Sequence, residues 1–372
     1  MKIIPFFYLL GIVFLTACQQ GNEASELSDS PPITRGVWLT NVDSEVLNSS
    51  ENIKAAVDLC IKNGINSIFT VTWNRGYTLY PSPLMEETFG RKIDPKFEGR
   101  DPLRELINYA HQKNIKVYAW FEFGFSSSYK ETDGGYLLQE KPAWAALDTA
   151  GQIVSKNGFQ WMNAFNPEVQ DFLKQLVLEV VNNYEVDGIQ GDDRLPALPS
   201  LAGYNPEIQE QYFQETGQYP PKDIFDTTWV QWRADILSDF QCELYQAVKA
   251  NKPEVAVTVS PSIYPWSKEQ YLQDWPAWVN RGCVDMVCPQ IYRYDFVKYQ
   301  TELAKIMTDQ IAAEDQHLIV PGILLKVGDY YADTTLIQQK IDENRKYGLE
   351  GEVFFFYEGM KRWPDYFEGL YR

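Results

Sequence analysis

The sequence predicts an α/β fold, namely a (β/α)8 TIM barrel with long βα loops after strands 3, 4 and 5. Two observations support this prediction. Eight short apolar runs each end in a cluster of polar and aromatic residues, and long amphipathic stretches separate the runs. Because the strands of such a barrel are parallel, all eight carboxyl ends meet on one face, where we expect a functional site. The runs with their end clusters span 35–44, 67–77, 116–125, 187–194, 255–264, 284–293, 318–329 and 352–360.

The N-terminal segment predicts export. Residues 1–17 combine one lysine with a short apolar stretch, and they end in Leu15-Thr16-Ala17 directly before Cys18, which is typical of a lipoprotein signal peptide. We therefore expect cleavage before Cys18, a lipid on Cys18 and anchoring in the membrane of a bacterial cell envelope. The alternative is an uncleaved membrane anchor, but the apolar run is shorter than the ~20 residues that span a bilayer.

The remaining chain divides into a tether and one domain. Residues 18–32 are polar and lack periodicity, so they are expected to form a flexible tether. Residues 33–372 are expected to form a single barrel domain, because barrels with insertions take about 250 to over 400 residues.

Helix start signals support the barrel. Asp101-Pro102 and Asn166-Pro167 each place a capping side chain before a proline, and apolar residues at helical spacing follow both pairs. The connections into the strands are short, whereas 123–165 and 194–228, which follow the third and fourth strands, are long. Function is expected in the long connections, since binding and catalytic residues concentrate on such loops.

Composition excludes several classes of function. Acidic residues outnumber basic ones by 51 to 33, for a net charge of −18, so we expect no nucleic-acid partner. The chain has only two histidines, His111 and His317, and both precede strands, at the bottom of the barrel. This placement argues against Ser-His-Asp catalysis and histidine metal sites. The sequence also lacks a phosphate-binding glycine loop, and we expect neither a metal nor a cofactor.

Four cysteines follow Cys18 in the sequence, and their spacing shows no disulfide framework or zinc motif. We expect buried free thiols, although export would permit a disulfide bond. The four are Cys60, Cys242, Cys283 and Cys288.

Carboxylates remain as the reactive groups at the top of the barrel. Glycosidic hydrolysis needs two of them, one that protonates the leaving oxygen and one that attacks the sugar or activates water. Side chains alternate along a strand, so Asp192 is expected to point inward if Gln190 does, and it is our nucleophile or base. Asp193 is the second candidate for the nucleophile or base. The alternative is that one of this pair is a partner for Arg194 or caps a loop.

For the acid, Glu122 and Glu358 compete. Glu122 ends the third strand, next to Asp192, and Trp120 could give it an apolar wall that raises its pKa. We favour Glu122. The alternatives are a buried salt bridge from Glu122 to Arg75 or Arg293, and a hydrogen bond from Glu358 to sugar hydroxyls.

Other residues at the strand ends are expected to contact the substrate. Aromatic residues concentrated in the loops favour stacking on sugar rings, although any single ring is more often part of the core. The expected substrate contacts are Asn41, Asp43, Trp73, Asn74, Trp120, Gln290, Tyr292, Arg293 and Tyr357.

Nine ordered motifs, from Arg35 to Gly359, resemble the glycosyl-hydrolase-like 10 family of bacterial envelope proteins. They are RGVWLTNVDS, TWNRGYTLYPS, RDPLRELI, WFEFGF, NPEVQDF, DGIQGDDR, LQDWPAW, PQIYRYD and FFFYEG. The resemblance implies a TIM-barrel glycoside hydrolase fold related to the α-amylase-type barrels. In those barrels the nucleophilic Asp ends the fourth strand, which matches Asp192. Their acid Glu ends the fifth strand, where this sequence has 260–262, Ser-Pro-Ser.

The leading functional prediction is an envelope-anchored glycosidase that acts on a cell-wall glycan or another polysaccharide. A non-catalytic glycan-binding lipoprotein on the same scaffold is the second, and a barrel enzyme of other chemistry is the third. The sugar, the linkage, endo or exo attack, retention or inversion, and the oligomeric state are left open.

Overall fold

The computed structural model describes Met1 and residues 33–371. Its central sheet has eight strands, and every pairing within it is parallel. The strands are β1 (Arg35–Leu39), β2 (Ser67–Val71), β3 (Lys116–Phe121), β4 (Gly188–Gly191), β5 (Ala256–Val259), β6 (Met286–Val287), β7 (Gly322–Leu324) and β8 (Glu352–Phe355). All eight predicted runs therefore contain a strand.

The sheet curls into a barrel. Its order is β6-β5-β4-β3-β2-β1-β8-β7, so neighbours in the sheet are neighbours in the sequence except across the β1 and β8 pair. Isolated parallel bridges from Val287 to Ile319 and from Gln290 to Gly322 join the two remaining edges. The (β/α)8 barrel predicted from the sequence is confirmed.

One helix follows each strand and covers the outside of the sheet. These helices are α1 (Ser50–Lys62), α2 (Pro102–His111), α3 (Pro167–Asn183), α4 (Thr227–Asn251), α5 (Trp275–Asn280), α6 (Phe296–Lys305), α7 (Thr334–Lys346) and α8 (Pro364–Leu370). The predicted caps are present: the Asp101 side chain accepts from the Arg104 amide, and the Asn166 side chain accepts from the Glu168 amide. Among the residues that the structure describes, no helix has both the length and the hydrophobicity of a membrane-spanning segment.

The loops at the carboxyl ends of the strands carry the extra elements. The β3–α3 connection holds a three-stranded antiparallel sheet (Ser126–Tyr129, Ser155–Lys156, Phe159–Trp161) and the helices Gly135–Glu140 and Pro142–Trp144. The β4–α4 and β5–α5 connections each hold one helix, Pro206–Thr216 and Trp266–Tyr271. Two hairpins, Trp73–Asn74 with Tyr77–Thr78 and Lys326–Val327 with Tyr330–Tyr331, follow β2 and β7. Shorter turns of helix are Val46–Asn48, Pro83–Phe89, Pro95–Phe97, Ile306–Gln310, Ala313–Leu318 and Tyr357–Met360.

Aromatic side chains fill the barrel below these loops. The rings of Phe69 and Tyr118 stack with centroids 4.5 Å apart. Gly188 on β4 makes room for them, because a Cβ there would lie 2.4 Å from the Tyr118 ring. One layer higher, the Trp38 indole N–H donates to Gln190 across the barrel at 2.6 Å. Gln190 therefore points inward, and the next inward position along its strand direction is Asp192.

The cysteine expectation was wrong for two of the four residues. Cys242 on α4 and Cys283 form a disulfide bond, with their Cα atoms 4.9 Å apart. They are 41 residues apart in sequence, and only the packing of α4 against α5 brings them together. Cys60 and Cys288 are buried free thiols, as expected.

Candidate active site

Asp192 lies at the centre of the candidate site. It follows β4 and is only 2% exposed. Its Oδ1 accepts hydrogen bonds from the Gln290 amide at 2.7 Å and from the Ser260 hydroxyl at 3.2 Å, and its Oδ2 accepts one from Arg194 at 3.0 Å. Three donors from three different strand ends therefore hold this carboxyl group in one orientation.

Arg194 connects all three nearby carboxyl groups. Its guanidinium lies 3.0 Å from Asp192, 2.9 Å from Asp193 and 3.5 Å from Glu122, and it packs over the Phe159 ring at 4.8 Å. Its Nε also donates to the Glu122 carbonyl at 2.9 Å. The single positive charge of Arg194 is thus shared by three acidic side chains.

A close backbone approach brings the ends of β3 and β4 together. A Cβ on Gly124 would lie 2.0 Å from the Arg194 carbonyl oxygen, and the φ of Gly124 is +50°. The Phe125 amide donates to the same carbonyl at 3.0 Å. Glycine at 124 therefore lets the segment that carries Glu122 lie directly against the segment that carries Arg194.

Glu122 forms the second half of the site. Its Oε2 accepts a hydrogen bond from the Asn74 amide at 3.0 Å, and the same amide donates to Asn41 at 2.8 Å. Burial raises the pKa of Glu122 from 4.5 to about 7, and the charge of Asp193 adds to the shift while Arg194 and Arg75 oppose it. This carboxyl group can therefore hold a proton near neutral pH.

Burial also raises the pKa of Asp192, with contributions from Asp193 and Glu122 that outweigh the opposing charge of Arg194. Like charges this close cannot all ionise easily, so the carboxyl groups of this cluster disfavour one another's charged forms. Two carboxyl groups of which one is protonated and the other ionised provide an acid and a base at the same pH.

An open cavity of about 240 Å³ adjoins Glu122 at the carboxyl-end mouth of the barrel. It is smaller than other cavities on the described surface, such as one of about 570 Å³ beside Asn166 and Asn205. We assign the site to the smaller cavity because the titrating carboxyl group opens into it. Its lining comprises Thr40, Val42, Asp43, Asn74, Arg75, Glu122, Phe123, Tyr129, Phe159, Val327, Gly328, Phe355 and Phe356.

The structure brings most of the expected substrate contacts to this region. Asp43 and Asn74 line the cavity, Asn41 binds Asn74, and Gln290 binds Asp192. The Tyr292 ring stacks on Phe355 with centroids 4.9 Å apart.

Four other expected site residues are not among those that line the cavity. Trp73 is fully buried, donates to the Gly124 carbonyl at 3.0 Å and packs on the Phe172 ring. Trp120 is 3% exposed and lies beside Trp38 in the barrel interior. Both are core residues of the barrel. Tyr357 is 4% exposed, and Arg293 lies 3.6 Å from Glu302.

Glu358 is separate from the Asp192 cluster. The Ser44 hydroxyl donates to one of its oxygens at 2.8 Å, and the Lys361 ammonium lies 2.6 Å from the other. The salt bridge considered for Glu122 from the sequence does form, but its partner is Arg194 instead of Arg75 or Arg293.

Sequence reasoning missed the central place of Arg194 and the contact from Ser260. Arg194 was considered only as a partner for one of the two aspartates. A signal was available, because two adjacent acidic residues at a buried strand end need a counter-ion. Ser260 occupies the strand end where α-amylase-type barrels carry their acid, and here its hydroxyl donates to Asp192.

A parallel barrel with paired carboxyl groups at its carboxyl-end mouth defines the class of the barrel glycoside hydrolases. This chain belongs to the glycosyl hydrolase-like 10 family, whose sequence model matches residues 33–330. The family resemblance expected from the motifs is confirmed.

Two proteins with similar sequences support that assignment. Glycosyl hydrolase DigH of Escherichia coli K12 is 26% identical over 332 residues, which cover 81% of this chain and 71% of that protein. Glycosyl hydrolase YngK of Bacillus subtilis is 23% identical, with 98% and 74% covered. This family and these relatives support a glycosidase.

Solved structures show the same fold. The PgaB (BpsB) glycoside hydrolase domain of Bordetella bronchiseptica superimposes with a TM-score of 0.66 at 16% identity, covering 90% of this chain and 97% of that one. Alpha-L-fucosidase isoenzyme 2 of Paenibacillus thiaminolyticus gives 0.67 at 18% identity, with 91% and 48% covered.

Proposed function

We propose that this protein hydrolyses O-glycosidic bonds of a cell-wall glycan or another polysaccharide, with Asp192 as nucleophile and Glu122 as acid. The observation that carries the proposal is that the carboxyl groups of Asp192 and Glu122 contact the same guanidinium nitrogen of Arg194, with Glu122 opening into the cavity. The chemistry requires one protonated and one ionised carboxyl group at the same pH.

The two roles follow from the hydrogen bonds. Asp192 receives donors from Arg194, Ser260 and Gln290, which favour its charged form. Glu122 receives a neutral amide donor, lies farther from the guanidinium and has a pKa of about 7. Burial raises the pKa of both groups, and we assign the negative charge to Asp192 because it has the three donors. Glu122 is then the group that holds the proton for the leaving oxygen.

The separation of the pair favours retention of configuration. One oxygen of each carboxyl group contacts the same guanidinium nitrogen, at 3.0 Å and 3.5 Å, so these oxygens lie at most about 6.5 Å apart. Inverting enzymes need about 6.5–9.5 Å between the carboxyl groups to admit a water molecule, and retaining enzymes need about 5–5.5 Å. Direct attack by Asp192 and retention at the anomeric carbon are expected, and NMR of the first product checks this.

Lipid anchoring belongs to the same proposal. Cys18 lies outside the described residues, and its place after an apolar leader is the support for export and attachment to the cell envelope.

One observation favours a second function, the binding of a glycan without cleavage. Asp192 is 2% exposed and engaged by Arg194, and a nucleophile must reach the anomeric carbon. A protein that binds glycans without hydrolysing any of them would fit this second function.

The test compares Glu122→Gln with Glu358→Gln, since Glu358 is a carboxylate of the same mouth outside the Asp192 cluster. On glycans with poor leaving groups, Glu122→Gln should lose about 10²–10⁴-fold in rate, the usual contribution of an acid. An aryl glycoside, whose leaving group needs no proton, should recover most of that rate. The wild-type rate should fall as the pH rises above about 7, and Glu122→Gln should lack this alkaline limb.

Asp192→Asn completes the test, because an amide of the same shape cannot attack. It should lose several orders of magnitude on both kinds of substrate. If Glu358→Gln shows the leaving-group rescue instead, the acid is Glu358. If the wild type turns over no glycan but binds one, the second function is correct.

A further inference from the structure

An exposed apolar surface lies beside the cavity, on the loops that follow β6 and β7. Tyr294 is 61% exposed, and Val327 is 43% exposed. The Tyr330 ring meets the Tyr294 ring edge to face, with centroids 4.7 Å apart. We call Tyr294, Val327 and Tyr330 the rim platform. Exposed aromatic groups of this kind mark binding surfaces more often than isolated apolar residues do.

Hairpin geometry orients the rim platform. Val327 pairs with Tyr330 across the hairpin, and Lys326 pairs with Tyr331. Paired residues point to the same side of a hairpin and neighbours along a strand point to opposite sides. Val327 and Tyr330 therefore share one side, and Tyr331 lies on the other.

The rim platform is continuous with the candidate active site. Val327 and Gly328 line the cavity that holds Glu122. On the opposite loop, Tyr294 follows Tyr292, whose ring stacks on the cavity residue Phe355. A chain that leaves the cavity toward the β6 and β7 loops must therefore pass over the platform.

We propose that the rim platform binds sugar units of the glycan chain that lie beyond those in the catalytic cavity. The inference rests on the proposed function and adds to it a preference for chains over short substrates. Tyrosine rings offer flat apolar faces and a hydroxyl group at the edge, which match the apolar face and the peripheral hydroxyls of a pyranose ring. The cavity, at about 240 Å³, is small for a chain, so further units need a surface outside it.

The experiment uses the full protein and compares Tyr294→Ala/Tyr330→Ala with Tyr331→Ala. Tyr331 is the matched control, because it is on the same hairpin, 38% exposed, and on the other side. The substrates are purified cell-wall glycan strands, a soluble polysaccharide and an aryl glycoside. For the double variant, kcat/KM should fall about tenfold on the glycan or polysaccharide that the wild type cleaves, mainly because KM rises. The kcat/KM for the aryl glycoside should not change. Tyr331→Ala should match the wild type on both.

A second measurement separates this proposal from the proposed function. Cosedimentation of the Asp192→Asn protein with insoluble cell-wall glycan or polysaccharide measures chain binding without hydrolysis. If Asp192→Asn binds the insoluble glycan and the addition of Tyr294→Ala and Tyr330→Ala removes that binding, the rim platform is supported even if the wild type hydrolyses no substrate. The platform proposal is overturned by unchanged binding and turnover of chains, by equal loss on chains and the aryl glycoside, or by absence of chain binding in the starting protein.

A second copy of this chain is the other occupant to exclude. Analytical ultracentrifugation of the wild type and the double variant detects it. Dimerisation that disappears in the double variant, with chain turnover unchanged, would assign the platform to a protein interface and overturn the proposal.

Discussion

Glu122 combines a functional role with a cost in stability. Its pKa is about 7 in the folded protein, whereas an unfolded chain would ionise it near 4.3. Between these two pH values, folding therefore requires Glu122 either to take up a proton or to bury its negative charge. The same burial that makes Glu122 a usable acid near neutral pH makes the folded state less stable as the pH rises.

The substitution Glu122→Gln should remove this cost. Below about pH 4 both proteins carry an uncharged side chain there and should be equally stable. As the pH rises from about 4 to about 7, wild-type stability should fall and the variant should gain up to about 4 kcal/mol over it. Urea denaturation at pH 4, 6 and 8.5 measures the difference. Equal pH dependence in the two proteins would mean that Glu122 is not the group with the raised pKa.

Arg194 matters through the charges that it neutralises. Arg194→Met would leave Asp192, Asp193 and Glu122 without their shared cation, and unpairing a buried charge costs about 3–5 kcal/mol. The loss in unfolding free energy should be largest at pH 8 and smaller at pH 5, where the carboxyl groups take up protons. Chemical denaturation at both pH values tests this. Arg75→Met is the control: Arg75 lines the cavity but is exposed, so a change within about 0.5 kcal/mol is expected.

At the scale of the elements, the site depends on where strands end. Four neighbouring strand ends contribute to it. Glu122 follows β3 and Asp192 follows β4, and both contact Arg194. Ser260 follows β5 and Gln290 follows β6, and both donate to Asp192. Each strand supplies one or two residues, and no single segment contains the site. Outside the strands, a disulfide bond joins Cys242 on α4 to Cys283, which follows α5.

Removal of this disulfide bond should destabilise the barrel without altering the site. Closing a loop of 41 residues contributes about 2–4 kcal/mol. Cys242→Ser/Cys283→Ser should unfold at a lower temperature than the oxidised wild type, and its melting temperature should not respond to a reducing agent. Calorimetry with and without reductant measures both. A wild-type protein that is equally insensitive to reductant would show that the bond does not form.

The proposed lipid anchor concerns the molecule as a whole. The barrel begins at residue 33, and in the lipoprotein interpretation Cys18 and residues 19–32 form its connection to the membrane. Cys18→Ser should move the protein from the membrane fraction to the soluble or secreted fraction, while its activity on soluble glycans stays unchanged. Fractionation followed by immunoblotting tests this. Membrane association that survives the substitution would contradict lipidation at Cys18.

The barrel was predictable because each of its elements has a local signature. Strand runs, proline-capped helix starts and short links into strands depend on neighbouring residues alone. The polar strand ends then follow from the parallel topology, which is why Asp192 and Glu122 could be placed on the same face. The direction of the Trp73 side chain could not be predicted in this way. Its ring turns into the core against Phe172, and the direction of a side chain near a hairpin depends on distant packing.

The sequence by itself determined the fold class, the order of the strands and the set of carboxyl groups available at the mouth. Hydrophobic periodicity, composition and the scarcity of histidines can be read from the sequence without knowledge of any tertiary contact. Only the tertiary structure decided which carboxyl groups meet. It selected Glu122 over Glu358 as the partner of Asp192, made Arg194 their common counter-ion and joined Cys242 to Cys283. These relations are distances and degrees of burial between residues far apart in sequence, and they exist only when the barrel closes.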